Sequence, residues 1–175
     1  MARGYDATTL EEIAEAAQVH KRTLLRYFPT KTHLVLYRQH DAFDEFQTAL
    51  AERGAAPVID VWQKHVIEHS RALMKRGAAA NIGRLAMSEP AVRQAVLDIR
   101  QQYNRALARA LEEETGGSPD RRIWARVVAS ALVGGNYAVA DMIMRDEAYA
   151  DLEAAELEVI QRVREGLMGG GQGRR

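Results

Sequence analysis

Apolar positions recur at helical spacing along nearly the whole chain. Leu10, Ile13, Ala14 and Ala17 follow the i, i+3, i+4, i+7 pattern, and either Thr8 with Glu11 or Thr9 with Glu12 can form a capping box ahead of them. This spacing predicts a short helix over about 9–17. Gln18-Val19-His20 interrupts the pattern. A second short helix is expected over about 20–28, burying Val19, Leu24 and Phe28 and turning His20, Lys21, Arg22 and Arg26 outward. Pro29-Thr30 ends it and caps the next, and the pattern then runs through Leu34, Phe43, Phe46 and Leu50 as one long helix to about Arg53. Gly54-Ala55-Ala56-Pro57 stops that helix.

Further helices are expected at roughly 57–76, 78–88, 90–115, 119–146 and 150–168. They are separated by Gly77, Glu89-Pro90, Gly116-Gly117-Ser118-Pro119 and a short acidic turn. No stretch alternates Val, Ile and Thr between turn residues, so no strand is predicted and the chain reads as all-α without internal repeats. The organisation is a small head over 1–36, a larger body over 37–168, and a flexible glycine-rich tail over 169–175.

Composition first argues against a nucleic-acid partner, because 24 Lys+Arg balance 24 Asp+Glu in 175 residues. Counting by region reverses this. Residues 18–40 carry five basic side chains (Lys21, Arg22, Arg26, Lys31, Arg38), three histidines (His20, His33, His40) and no acid, while residues 41–175 hold 18 Lys+Arg against 20 Asp+Glu. The absence of cysteine excludes disulfides, thiol nucleophiles and thiolate-ligated metals. The N-terminal residues lack an apolar signal region and no apolar run of about 18 residues is expected, so a soluble cytoplasmic protein with no membrane partner is anticipated.

Two short helices joined by a tight turn, the second presenting cations, make a helix-turn-helix whose second helix can lie in the DNA major groove. The residues Thr8-Thr9-Leu10-Glu11-Glu12-Ile13-Ala14-Glu15-Ala16-Ala17, then Val19, Thr23 and Tyr27-Phe28-Pro29-Thr30-Lys31, closely resemble the DNA-binding head of the TetR/AcrR family of bacterial regulators. The resemblance spans roughly residues 3–36. It implies that Thr9 meets a phosphate, that His20, Lys21 and Arg22 open the recognition helix with Lys21 and Arg22 reading bases, and that Thr23, Tyr27 and Lys31 hold the backbone. Arg26 lies on the same outward face.

Four departures from the family pattern stand out. Gln18 replaces the usual turn glycine, His20 the usual Ser or Thr cap, and Leu25 a phosphate-binding Tyr, where Leu25 can instead meet a thymine methyl. The family's first helix is represented only by Met1-Ala2-Arg3-Gly4, so the head is expected to lack one wall of its core, or to continue upstream of Met1.

For the body, the resemblance implies a head-linking helix from Thr30, an effector pocket among central helices, and homodimerisation through the last two helices. The sequence supports the last point with Trp124, Val128, Ala131, Leu132, Gly135, Val139 and Met142 on one face of helix 119–146, and with Leu152, Val159, Ile160, Val163 and Leu167 on helix 150–168. The nominated pocket residues are Trp62, Val66, His69, Leu85, Tyr103, Trp124 and Tyr137, which suggest a mainly apolar effector.

His65-Val66-Ile67-Glu68-His69 matches H-x-x-E-H, but the other histidines lie in the head and no third ligand is identified. It is read as a pair of polar helix residues. No metal, cofactor or enzymatic activity is expected. The chain is therefore read as a ligand-responsive DNA-binding regulator, a repressor released by a small-molecule effector from a partly palindromic double-stranded DNA operator. The alternative is a dimeric small-molecule-binding protein that has lost DNA binding because its head is incomplete.

Overall fold

A computed structural model describes residues 4–74, 78–145 and 151–168, with side chains described at all of these except 73–74, 78–81 and 143–145. The helices are α1 (Gly4–Ala7), α2 (Leu10–Ala16), α3 (Lys21–Tyr27), α4 (Lys31–Val35), α5 (Tyr37–Ala51), α6 (Val58–Met74), α7 (Ala78–Ser88), α8 (Pro90–Thr115), α9 (Pro119–Arg145) and α10 (Leu152–Val163), which continues as a π-helical turn, Arg164–Met168. No strand occurs among the described residues. The predicted breaks at Gly77 and in the acidic turn, and the tail at 169–175, lie outside them.

Local chemistry sets the helix boundaries. Of the two possible capping boxes the chain uses the second: the Glu12 N–H donates to Thr9 Oγ1 at 3.2 Å and the Thr9 N–H to the Glu12 carboxylate at 2.9 Å. Gln18, in the turn, adopts φ 55°, the left-handed conformation that glycine enters without steric cost. Pro90 opens α8, and Gly116 at φ 82° closes it, its N–H reaching the Glu112 and Glu113 carbonyls.

Two expectations about the head and its connection are corrected. Val19 is 40% exposed rather than buried, since it stands in the turn and no described helix covers it. The predicted helix from Thr30 to Arg53 is two helices, with Leu36 (φ −101°, ψ 17°) ending α4 and starting α5. Leu36 is fully buried in the core, and at this corner the Gln39 N–H makes a tighter bond to the Leu36 carbonyl at 3.0 Å. Burial of one leucine outweighs continuation of a straight helix here.

The core lies in the body. Phe43, Phe46, Trp62 and Tyr103 stack from α5, α6 and α8 with ring centroids 5.0–5.8 Å apart, surrounded by Val58, Ile99, Leu107, Val128, Leu132 and Ile160. Part of the face of α9 nominated for dimerisation points inward, while its Met142 is 43% exposed. Val128 and Leu132 are fully buried within the chain, and Gly135 is pressed against Val159 of α10 so closely that an added Cβ would stand 2.5 Å from its Cγ1. The open face of α9 is the opposite one, where Ile123 is 66% and Val127 50% exposed. The expectation of no membrane-length apolar stretch also changes. Pro119–Met142 is long and apolar enough to qualify by length and composition, with a mean hydropathy of 1.2, and it packs between α8 and α10.

Candidate nucleic-acid interface and ligand cavity

Helices α2 and α3 pack on each other through buried Ala14 and Leu24, while Leu10, Ile13 and Phe28 are half-buried. This leaves the outer face of α3 free. His20 caps it without a side-chain hydrogen bond, and Arg22 is exposed with no ion-pair or hydrogen-bond partner among the described residues. Arg26 lies over the Tyr27 ring at 5.0 Å and donates to its hydroxyl at 3.3 Å, and Tyr27 is itself 62% exposed. Thr23 and Leu25 are half-buried.

Other nominated contacts are engaged within the chain. Lys21 pairs with Glu11 of α2, which holds the Glu11 carboxyl below its ordinary range chiefly through that hydrogen bond. The Thr9 hydroxyl works in the capping box. Lys31 donates to the carbonyls of Tyr5 at 2.5 Å and Thr8 at 3.0 Å and lies 4.2 Å from the Tyr5 ring centroid, so it ties α1 to α4. Sequence spacing could not reveal this, because the partner atoms are main-chain carbonyls 23 and 26 residues away.

From the head an aromatic ladder crosses the Leu36 corner. The Phe28 ring meets His33 at 6.5 Å and Tyr37 at 6.1 Å, and His33 of α4 stacks on His40 of α5 at 4.1 Å and 7°. Burial, and next the charge of His33, lower the pKa of His40.

Behind this corner lies a cavity of about 690 Å³ walled by α5 to α10. Trp62, Val66, His69, Tyr103 and Tyr137 line it as nominated, joined by Ile99, Val96 and Leu152. Leu85 and Trp124 do not line it: Leu85 packs against the core, and Trp124 donates its indole N–H to the Leu167 carbonyl at 2.9 Å at the far end of α9. Sequence reasoning missed the polar wall residues Gln39, Ser70, Arg93, Arg100, Asn136 and Glu156. Polar residues on amphipathic helices read as solvent-facing, and the helical period alone does not show that α9 and α10 turn Asn136 and Glu156 inward.

Most of that wall is electrically neutral. Burial drives His65 down to about 3, with a smaller effect of His69, and His69 down to about 4, so both imidazoles are uncharged at neutral pH. His65 shares a 3.0 Å hydrogen bond with the Tyr103 hydroxyl, whose own pKa burial raises. Burial also lifts Tyr137 to about 12 and Glu156 to about 7; for Glu156 the hydrogen bond from Ser70 opposes the rise. A buried polar chain links the helices, with the Trp62 indole donating to Asn136 Oδ1 at 3.1 Å, the Asn136 amide to the Glu156 carbonyl at 3.1 Å, and the Ser70 hydroxyl to the Glu156 carboxyl.

The H-x-x-E-H residues do not converge. The His65 and His69 rings stack at 5.8 Å, while Glu68 reaches Lys64 at 4.0 Å on the outer surface. No group of three His, Cys, Asp or Glu side chains suited to a metal ion occurs among the described residues.

The geometry defines a helix-turn-helix head on an all-α body with an open cavity between its helices. Residues 1–37 match the model of bacterial regulatory proteins of the tetR family. Over 55 residues the chain is 42% identical to the HTH-type transcriptional regulator TcmR of Streptomyces glaucescens, a match covering 31% of this chain and 24% of TcmR. The whole fold is similar to the fatty acid degradation regulator FadR from Bacillus halodurans (TM-score 0.65, 21% identity, 95% of this chain and 92% of that one). It is also similar to the transcriptional regulator FadR from Bacillus subtilis, solved in complex with stearoyl-CoA (TM-score 0.61, 19% identity, 94% and 91%). The head is thus similar to that of TetR-family regulators, and the chain spans about a quarter of the length of the curated relative it matches. The family and these relatives are regulators, not enzymes.

Proposed function

We propose that this protein is a ligand-responsive repressor of the cytoplasm, which binds a partly palindromic DNA operator as a homodimer and leaves it when a mainly apolar small molecule fills the cavity. The observation that carries this reading is the open cationic face of α3, where Arg22 has no partner among the described residues and Arg26 and Tyr27 are exposed on a capped helix-turn-helix. Arg22 is assigned to base reading, His20, Thr23 and Tyr27 to the DNA backbone, and Leu25 to a thymine methyl. Lys21 reads a base after exchanging Glu11 for DNA, and Lys31 acts by holding α1 in place.

The cavity's apolar walls and uncharged histidines support an apolar effector, and stearoyl-CoA, bound by the Bacillus subtilis protein, is a first compound to test. Two heads spaced about one DNA turn apart fit successive major grooves, and an effector favouring another spacing weakens DNA binding reciprocally. The test is fluorescence anisotropy on operator fragments selected from random DNA. Wild type should bind more weakly as salt rises, and Arg22→Ala should lose about 1–3 kcal/mol of base discrimination. Equal losses on selected and random DNA overturn the role of Arg22, and no binding to any DNA leaves only a ligand-binding body.

A further inference from the structure

Most polar groups of the cavity wall are matched within the chain. His65 holds Tyr103, Trp62 holds Asn136, and Arg93 donates to the carbonyls of Ala86 at 2.9 Å and Met87 at 2.7 Å. Ser70 of α6 and Glu156 of α10 are not fully matched. Both are buried, both line the cavity, and the Ser70 hydroxyl donates to Glu156 Oε2. A serine and a protonated carboxyl carry one O–H each, and the single bond between them uses only one. Neither side chain has another hydrogen-bond partner among the described residues, so one O–H is left over. With Ser70 as donor, the acid proton falls to Glu156 Oε1. That atom is not sealed: the fully buried, unpartnered side-chain atoms among the described residues are Gln39 Oε1 and Arg164 Nε. Oε1 of Glu156 therefore keeps surface toward the cavity that the residue lines.

We propose that the Ser70–Glu156 pair is the polar anchor of this cavity, donating its surplus O–H to the carbonyl oxygen of an otherwise apolar, uncharged ligand. The proposal rests on the ligand-responsive reading above and deepens it. A buried donor without an acceptor is costly, and a carbonyl oxygen satisfies it without bringing charge into an apolar wall.

The anchor works only while the proton is held. Burial lifts the Glu156 carboxyl to about 7, against the Ser70 hydrogen bond and with a smaller push from Glu153, which pairs with Arg71 at 2.6 Å. Once ionised, the carboxylate takes up the Ser70 O–H and the pair has no donor left. A carbonyl ligand thus binds the acid form, loses affinity as pH rises through about 7, and in return raises the pH at which Glu156 ionises. Across the cavity, the imidazoles of His65 and His69 stay uncharged above about 4, and burial raises the Tyr103 and Tyr137 hydroxyls. Arg93 is held by its two carbonyls, and Arg100 and Asp141, of opposite charge, are exposed where they line the cavity.

The experiment compares Prodan, a naphthyl ketone whose emission reddens when its carbonyl accepts a hydrogen bond, with the matching propyl naphthalene that lacks the oxygen. Affinities are measured by fluorescence titration at about pH 5.5 and about pH 8.5, with helicity checked by circular dichroism. In wild type the preference for the ketone over the hydrocarbon should be about tenfold larger at the lower pH, with bound Prodan emitting further to the red there. Glu156→Gln, whose amide donates at either pH, should keep the preference at both. The double variant Ser70→Ala with Glu156→Met should bind the two probes alike at both. A pH-dependent preference that persists in Glu156→Gln assigns the proton to another group and overturns the proposal. Equal binding of the two probes by wild type at both pH values overturns the anchor and leaves the cavity reading intact, without recourse to a variant. Failure of wild type to bind either probe overturns both.

Discussion

Glu156 is a carboxylic acid only 5% exposed, held between Ser70 of α6 and Asn136 of α9 in the cavity wall. Replacing it by glutamine keeps its size and its capacity to hydrogen-bond Ser70 while removing its ionisation. Burial, more than it is offset by the Ser70 hydroxyl, lifts the carboxyl from an ordinary 4.5 to about 7 in the folded chain. Between these two values the folded protein keeps a proton that the unfolded chain has released, so this group's contribution to stability falls as pH rises from 4.5 to 7. At about 1.4 kcal/mol per pH unit, the full change is on the order of 3 kcal/mol.

His65 and His69 act in the opposite direction. Their folded-state values of about 3 and 4 lie below the unfolded 6.5, so stability is lost as pH falls below 6.5. Because wild type and Glu156→Gln share both histidines, the difference between the two proteins isolates the carboxyl. Urea unfolding followed by circular dichroism from pH 4 to pH 8 should show the variant gaining on wild type by about 3 kcal/mol, with the rise centred between pH 4.5 and 7. A difference that is flat with pH, or that moves the other way, would refute the claim that Glu156 is held neutral by burial.

Three further outcomes follow from backbone and packing. Gln18→Gly removes the left-handed strain in the head's turn and should raise stability by about 0.5–1 kcal/mol after the entropy glycine adds to the unfolded chain; a destabilised variant in thermal melts would contradict this. Gly135→Ala drives a methyl into Val159 and should cost about 1–3 kcal/mol, largely recovered by Val159→Ala in the double variant, whereas additive losses would show that the close approach is not the cause. If the proposed homodimer forms through the open face of α9, the joint change Ile123→Glu and Val127→Glu should convert dimer to monomer in sedimentation velocity without loss of helicity; an unchanged dimer would place the interface elsewhere.

Much of this architecture was legible because helices announce themselves through short-range signals. The Thr9–Glu12 box, Pro90 at the start of α8 and Gly116 at its end each act within a few residues, and each boundary falls where the spacing predicts. Long-range partners were not legible. Leu36 looks like any other apolar position in a continuous stripe until the core that swallows it is assembled, and Val19 looks buried until the absence of a described helix above it is seen. On α9 the apolar stripe is broad enough to serve a partner subunit or the chain's own α10, and the close approach of Gly135 to Val159 shows that part of it serves α10. In the cavity the aromatic members Trp62, Tyr103 and Tyr137 could be named from bulk alone. Gln39 and Glu156 could not, because nothing local distinguishes a buried amide or acid from a solvated one.

The pairing of Lys21 with Glu11 and the anchoring of Lys31 on α1 change how strongly salt should govern this protein. Five cations in residues 18–40 suggest a large release of counterions from DNA. The recognition face presents Arg22 and Arg26 unencumbered by acids, and with Arg22 assigned to a base the phosphate contacts per head are fewer than the five cations, so the slope of log K against log salt should be shallower than that count implies. Lys21 would add to that slope only by giving up Glu11, which neutralises one contact as it makes another. A protein built this way holds its site by geometry more than by charge, and tolerates swings in cellular ionic strength better than its basic stretch suggests.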